Sequence, residues 1–374
     1  MRDLVKNALV HWLYVQQGLR LRQPKRSSGL LGIRRVVFVE LLGIGDAVCT
    51  LPAVTNLKAA LPDCEVGFLC TQASAEVLRF SDRIDRLLVC GRHKNRMSLL
   101  DTAFIPWLDA TDLCIVPSWS VKNSLCSLLV RGRLCAGYLR DPSYRGLYYN
   151  DYVVEAAGLH LNGSTVYRWN EHVVDRANRV LEALGIPTPE KVPFLPPVPL
   201  PRPCPERYAL LCVGAVWEGR RWPPNRWAEL AGRIQADLHL KPVLVWGPGE
   251  EEYARAMARE NPSVSCGAGP GNAVQWHTSP RLTELLRLIQ HADVVVAHDS
   301  GPMHISSALR RPTVGLFGPN LPEICGPRHD RAQTVCARFG CSPCLQNHCL
   351  RPQGQHCMDA ITVDEVLDAV RRIT

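Results

Sequence analysis

Residues 293–317 read DVVVAHDSGPMHISSALRRPTVGLF, and the order of their parts decides the architecture. Asp293 to Ala297 is a continuous β-branched run, the pattern of a strand buried on both faces. Ile305 to Leu309 reads as a helix that stops at Arg310-Arg311-Pro312, and Thr313 to Phe317 is a second buried strand. Strand, turn, helix and strand in that order make a parallel β-α-β unit. Asp299 or Ser300 can cap the helix, and Pro302 in its first turn forfeits no needed donor. N–H groups at such a helix start attract phosphate. His304 lies one turn in, on a segment whose mouth faces the C-terminal edge of a parallel sheet, where α/β ligands bind. The plainer alternative is a well-capped crossover helix.

Outward from this unit, the same rhythm repeats twice. Upstream, Val36 to Leu41 (VVFVEL) is a buried strand running into Leu42-Gly43-Ile44-Gly45-Asp46, followed by a helix from about Ala47 to Leu61. The glycines invite a dinucleotide reading, but Val48 stands at the third glycine position, so that fingerprint fails. What remains is a turn through which the backbone approaches a ligand closely, with Asp46 either aimed out of the strand edge or capping the helix. Strands at 65–70, 86–89, 113–117 and 134–138 alternate with helices near 73–80, 120–131 and 175–184. Nine prolines then fall between Pro187 and Pro205, a run that builds neither helix nor sheet and marks a domain boundary. The second unit has strands at 208–214 and 241–246 and helices at 225–237, 250–260 and 282–291. Arg220 and Arg221 sit in a loop leaving a strand edge, where a guanidinium either stays solvated or clamps a diphosphate.

The chain of 374 residues is long enough for two domains, and 46% apolar with 21% charged residues describes a folded soluble protein. The net charge of +8 is concentrated in residues 1–35, where eight basic residues face one acid. The remainder lacks the basic face that nucleic acid binding needs. Residues 3–21 form an amphipathic helical stripe with Trp12, and with the following Arg and Lys residues suit an anionic membrane surface or a helix packed on the protein itself. No apolar run there approaches the ~20 residues of a membrane span, and no signal peptide pattern is present. Twelve of the sixteen cysteines are scattered singly, as in a reducing cytoplasm. Cys341, Cys344, Cys349 and Cys357 instead cluster, and such spacing fits a structural zinc or iron site as well as reduced thiols or disulfides. Thr362 and Glu365 form a capping box for a last helix through Ile373.

Three segments together resemble glycosyltransferase family 9, the ADP-heptose:lipopolysaccharide heptosyltransferases: LGIGDAVCTLPAV after the first strand, WEGRRWP, and HDSGPMHISSALRRPTVGLFGP. The terminal CSPC…C…CMDAIT element is also similar to one found in many members. The resemblance covers about residues 35–374. It implies a GT-B fold, an α/β architecture of two Rossmann-like doubly wound parallel-sheet domains facing a cleft. The division it suggests is a basic N-terminal segment (1–34), an acceptor-side domain (35–186), a Pro-rich linker (187–206) and a nucleotide-sugar domain (207–374) carrying the cysteine element at 341–357. It further implies inverting transfer of heptose from ADP-heptose to a lipopolysaccharide-core acceptor, without a catalytic divalent metal. On the matching positions, Asp46 is the catalytic base, with Gly43 and Gly45 in its turn. Arg220, where the family commonly has Lys, contacts phosphate, and Asp299, Ser300, Gly301 and His304 hold the diphosphate; Arg221, as the second arginine of the loop, and Pro302, in the helix's first turn, join these candidates from the residues alone. Glu250 or Glu251 lies near the ribose or base. The implied partners are a nucleotide-diphosphate sugar, a lipid-linked glycan and the inner membrane's cytoplasmic face, with acceptor loops at about 92–110 and 139–170. Rival expectations are a nucleotide-sugar epimerase, a transferase with another donor, and a non-catalytic metal-bridged assembly protein.

Overall fold

Two six-stranded sheets, both entirely parallel and both in strand order 3-2-1-4-5-6, form the body of the protein. The computed structural model describes residues 32–90, 105–118, 171–260, 281–337 and 357–374 continuously, and single residues or short strands between them. The helix expected at 3–21, most of the helix expected at 120–131 and parts of the acceptor loops expected at about 92–110 and 139–170 lie outside the described residues. Among the described residues no helix is long and apolar enough to cross a membrane.

The N-terminal sheet comprises β1 (Arg35–Val39), β2 (Glu65–Thr71), β3 (Arg86–Cys90), β4 (Leu113–Val116), β5 (Leu134–Tyr138) and β6 (Tyr152–Val154). β1 lies between β2 and β4, so the chain reverses its winding there, and the ends of β1 and β4 open a crevice. The C-terminal sheet repeats the plan with β7 (Tyr208–Cys212), β8 (Lys241–Val245), β9 (Gln275–His277), β10 (Val294–His298), β11 (Thr313–Phe317) and β12 (Ala332–Cys336). The runs expected at 293–297 and 313–317 form β10 and β11, both buried at every position, as strands covered on both faces must be.

The helix expected from Ala47 to Leu61 is instead two: α1 (Ile44–Cys49) and α2 (Leu51–Ala60). Pro52 explains the division, because its ring would strike the carbonyl one turn back in a continuous helix. The chain resets at Thr50, whose hydroxyl donates to the Asp46 carbonyl at 2.9 Å. Further helices are α3 (Gln72–Leu78), α4 (Val173–Ala183), α5 (Pro224–Leu238), α6 (Glu251–Glu260), α7 (Leu282–His291), α8 (Gly301–Ala308), α9 (Pro322–Cys325) and α10 (Val363–Arg371). Both bonds of the capping box expected at Thr362 and Glu365 are present.

The halves are in direct contact. α1 packs on α8 and α3 on α7, and one apolar cluster runs from Phe38 and Val48 to Met303 and Val295. Arg328 makes a two-bond ion pair with Asp175 of α4 at 3.0 and 2.6 Å, and His172 Nε2 meets the Gly326 carbonyl at 2.9 Å. The proline-rich stretch straps the two together. Asn56 and Asn178 of the N-terminal half hold the Glu190 carbonyl, while Leu195 N–H donates to Ala308 and Gln290 bonds Val198.

Candidate active site

At the end of β10 the chain passes through Asp299 and Ser300 into α8. Ser300 is the N-cap by backbone, extended at φ −156° and ψ 170°, yet no side chain caps the helix. Its hydroxyl donates back to the His298 carbonyl at 3.1 Å. The expected capping by Asp299 or Ser300 is therefore corrected: the helix start, which lines the cavity, is left without a side-chain cap. Asp299, 6% exposed, is engaged sideways. It ion-pairs with Arg220 at 3.0 Å, accepts from Asn320 at 2.9 Å, and accepts from the Cys325 thiol at 3.4 Å. Arg220 Nη1 also donates to the Asp299 carbonyl at 3.0 Å. Two bonds to one residue aim the guanidinium at the mouth of α8.

From the other half, α1 brings Asp46 to the same place. The capping reading fails here too, because Gly43 is the N-cap and Asp46 sits in the first turn. Gly45 permits the approach of the halves: a Cβ there would meet His304 Cδ2 at 2.6 Å. His304 Nδ1 lies 3.3 Å from the Cys49 thiol, and Nε2 lies 4.0 Å from Asp299. Burial pushes the Asp46 carboxyl above the usual range, against the opposing pull of His304 and Arg176. Burial holds His304 below its ordinary value, despite Asp299 and Asp46 nearby.

Both sets of residues line one cavity of about 1150 Å³ between the halves. Gly43, Gly45, Asp46, Arg220, Glu250, Asp299, Ser300, Gly301, Pro302 and His304 are all on its wall. Two candidates are not. Arg221 turns to the Ala215 carbonyl at 2.9 Å and stacks over Tyr253, and Glu251 accepts from Gly249 N–H at 3.3 Å at the surface. Glu250 is fixed by accepting from Gly247 N–H at 2.6 Å, packed where a Cβ on residue 214 would stand. Sequence reasoning missed Arg176, which reaches the cavity from α4, and Asn320 and Trp217, which also line it. Arg176 and Asn320 carry no local signal, since only the assembled halves bring them together; Trp217 stands within the WEGRRWP segment.

The four clustered cysteines are free thiols, Cys341 exposed and the others half-buried. They are neighbours: burial, followed by the charges of Cys344, Cys341 and Cys349, pushes Cys357 up to about 11. Among the described residues, however, no three His, Cys, Asp or Glu side chains are gathered as metal ligands.

Two Rossmann-like domains with a cavity between them, an acid on one wall and an uncapped helix start on the other, define a GT-B glycosyltransferase. Residues 108–353 match the model of glycosyltransferase family 9 (heptosyltransferase), and the chain belongs to that family. It is 28% identical to lipopolysaccharide heptosyltransferase 1 of Pseudomonas aeruginosa, over 84% of this chain and 87% of that one. It is 25% identical to the Escherichia coli K12 protein of the same name, over 81% and 93%. The fold is shared with E. coli heptosyltransferase WaaC with ADP (TM-score 0.65, 21% identity, 91% of this chain and 100% of that one). It is also shared with the iron-containing dodecameric glycosyltransferase TibC from enterotoxigenic E. coli (TM-score 0.56, 14% identity, 93% and 78%).

Proposed function

We propose that this glycosyltransferase moves a heptose from ADP-heptose to a sugar hydroxyl of the lipopolysaccharide core, with inversion at the anomeric carbon. The observation that carries this reading is the confrontation across one cavity of Asp46, from the first half, with Arg220 and the start of α8, from the second. Inverting transfer needs a base at the acceptor hydroxyl, opposite the departing diphosphate. Asp46 takes the hydroxyl proton as the oxygen attacks C1, and the C1–O bond to the nucleoside diphosphate breaks. The leaving group gains negative charge, which Arg220 and the N–H groups of α8 stabilise in place of a divalent metal. Asp299 holds Arg220 for that task. Glu250 lines the same cavity from the second half, and on this reading it meets the ribose or base. The relatives' names support the sugar and the acceptor class.

The test is Asp46→Ala, assayed with ADP-heptose and heptose-deficient lipopolysaccharide. Transfer is abolished while ADP binding stays intact; near-normal turnover would remove Asp46 from the mechanism. The anomeric configuration of the product reports inversion. Work at the cytoplasmic face of the inner membrane follows from a nucleotide-sugar donor and a lipid-linked acceptor, with the basic residues of 1–35 as the attachment.

The cysteine element carries a separate, structural proposal of bound zinc or iron. Its support is the sequence spacing and the nearness of four reduced thiols; the described side chains do not close a ligand set, so no step of the reaction is routed through it. Elemental analysis of purified protein decides it, and metal-free folded protein ends it.

A further inference from the structure

Close to Asp46 lies a second carboxylate that the transfer reaction does not use. Glu40 follows β1, is 2% exposed, and stands where the chain turns toward α1. Its Oε1 accepts from Leu42 N–H at 2.9 Å and from Asn123 Nδ2 at 2.9 Å. Asn123, fully buried, accepts with its Oδ1 from Leu41 N–H at 2.9 Å, and its Nδ2 also donates to Ser118 Oγ at 2.7 Å. Two successive amides, directly before the Gly43–Asp46 turn, are thus held by one buried network. Burying an acid is unfavourable, and an apolar side chain would fill the position at lower cost. A fully bonded polar network, on the other hand, specifies one backbone geometry.

We propose that Glu40 is a positioning residue for Asp46: together with Asn123 it fixes the backbone at Leu41 and Leu42, and its charge strengthens Asp46 as a base. This rests on the reading of Asp46 as the base. Burial, and then the charge of Asp46 on α1, push the Glu40 carboxyl up to about 7, against the bonds from Asn123, Leu42 and Ser118. The groups that face Asp46 in turn are His304 and Asp299 of the second half and Arg176 of α4. Coupling is mutual, so an ionised Glu40 disfavours negative charge on Asp46 and makes it the better proton acceptor. Ionisation also turns the Leu42 and Asn123 bonds into charge-assisted ones, which tightens the turn. Both effects act in the same direction. The kcat profile of the wild type therefore carries a rising step near pH 7, above the acid limb set by Asp46 itself.

Glu40→Gln keeps the shape and the acceptor oxygen but removes the charge. Its kcat at pH 8 falls about tenfold, the step near pH 7 disappears, and the KM for ADP-heptose stays within about twofold. Asn123→Ala, which releases Leu41 and unpins Glu40, lowers kcat by about 10²-fold through misplacement of the base. A merely structural role would lower the melting temperature and leave the pH step in place. A Glu40→Gln enzyme with wild-type kcat and an unchanged step overturns the proposal, whatever the fate of the Asn123 variant. Asp46→Asn, run beside them, separates the two claims: an active Asp46→Asn enzyme removes the base assignment itself. An inactive one beside a wild-type-like Glu40→Gln removes only the role of Glu40.

Discussion

In each sheet the first strand delivers the chain to a loop at the cavity mouth, β1 to Gly43–Asp46 and β7 to the segment ending at Arg220. The strand order is the same in both, and the hydrogen-bond ladders are parallel throughout. The side chains delivered are of opposite character. The first half presents a desolvated acid, while the second presents a guanidinium and an uncapped helix start. One architecture, used twice, therefore puts a carboxyl on one wall and a guanidinium with an uncapped helix start on the other, and the proposed proton acceptor and anion donors both lie in the loops.

The strongest break of this division of labour is loss of the acid. Asp46→Asn is isosteric and removes only the charge, so kcat falls by about 10³-fold while the dissociation constant for ADP is unchanged. A parallel loss of ADP affinity, read by calorimetry, would mean that the two walls do not divide the work. Next comes the anion side. Arg220→Ala both weakens ADP-heptose binding and lowers kcat at saturating donor by about 10²-fold, because the developing charge on the leaving group loses its donor. An unchanged kcat would confine Arg220 to ground-state binding. Arg220→Lys restores charge but not the planar guanidinium whose Nη1 meets both the carboxylate and the carbonyl of Asp299, and it recovers part of the rate.

A smaller effect probes the seam. Gly45→Ala places a methyl 2.6 Å from His304 Cδ2, so either the ring or the whole of α1 must shift. Both moves separate Asp46 from the start of α8, and kcat falls about tenfold with little change in ADP binding. Normal kinetics would show that the seam between α1 and α8 is looser than the contact implies.

The core of this arrangement was legible because burial leaves a mark on composition. β10 and β11 are covered on both faces; the β-branched run of β10 and the largely apolar run of β11 announce it. Of the edge strands, β3 was read, but β6, β9 and β12 were not: β12 is half-exposed along its length, with the sequence AQTVC, and offers no apolar period. At the site, Asp46, Arg220 and the α8 start were found through local motifs. The bonds that hold them at the cavity were not, since they are made by tertiary contact. Asp299 reads as a cap and serves instead to aim Arg220, and Gly45 reads as a ligand approach but also lies against His304. Arg176, on an ordinary amphipathic helix, becomes visible only once α4 reaches the cavity.

The last and smallest test concerns what holds the two walls at their spacing. Arg328 and Asp175 are joined by two hydrogen bonds across the halves, each side chain about a third exposed or less. Burial raises the Asp175 carboxyl, but the bonds and charge of Arg328 outweigh it and hold the carboxyl below its ordinary range. A depressed carboxylate stabilises the fold above its unfolded pKa and loses that contribution as pH falls through the folded one. Arg328→Ala therefore costs about 1 kcal/mol at pH 7, measured by urea unfolding, and the cost shrinks as the pH falls below the usual Asp range. Because the pair joins the halves without touching the reacting groups, kcat changes less than twofold, a ratio of about 0.4 kcal/mol. A large loss of kcat with unchanged stability would invert the comparison: the ion pair would then be a hinge control on the approach of Asp46 to the diphosphate, and the two walls would be set by closure instead of by static packing.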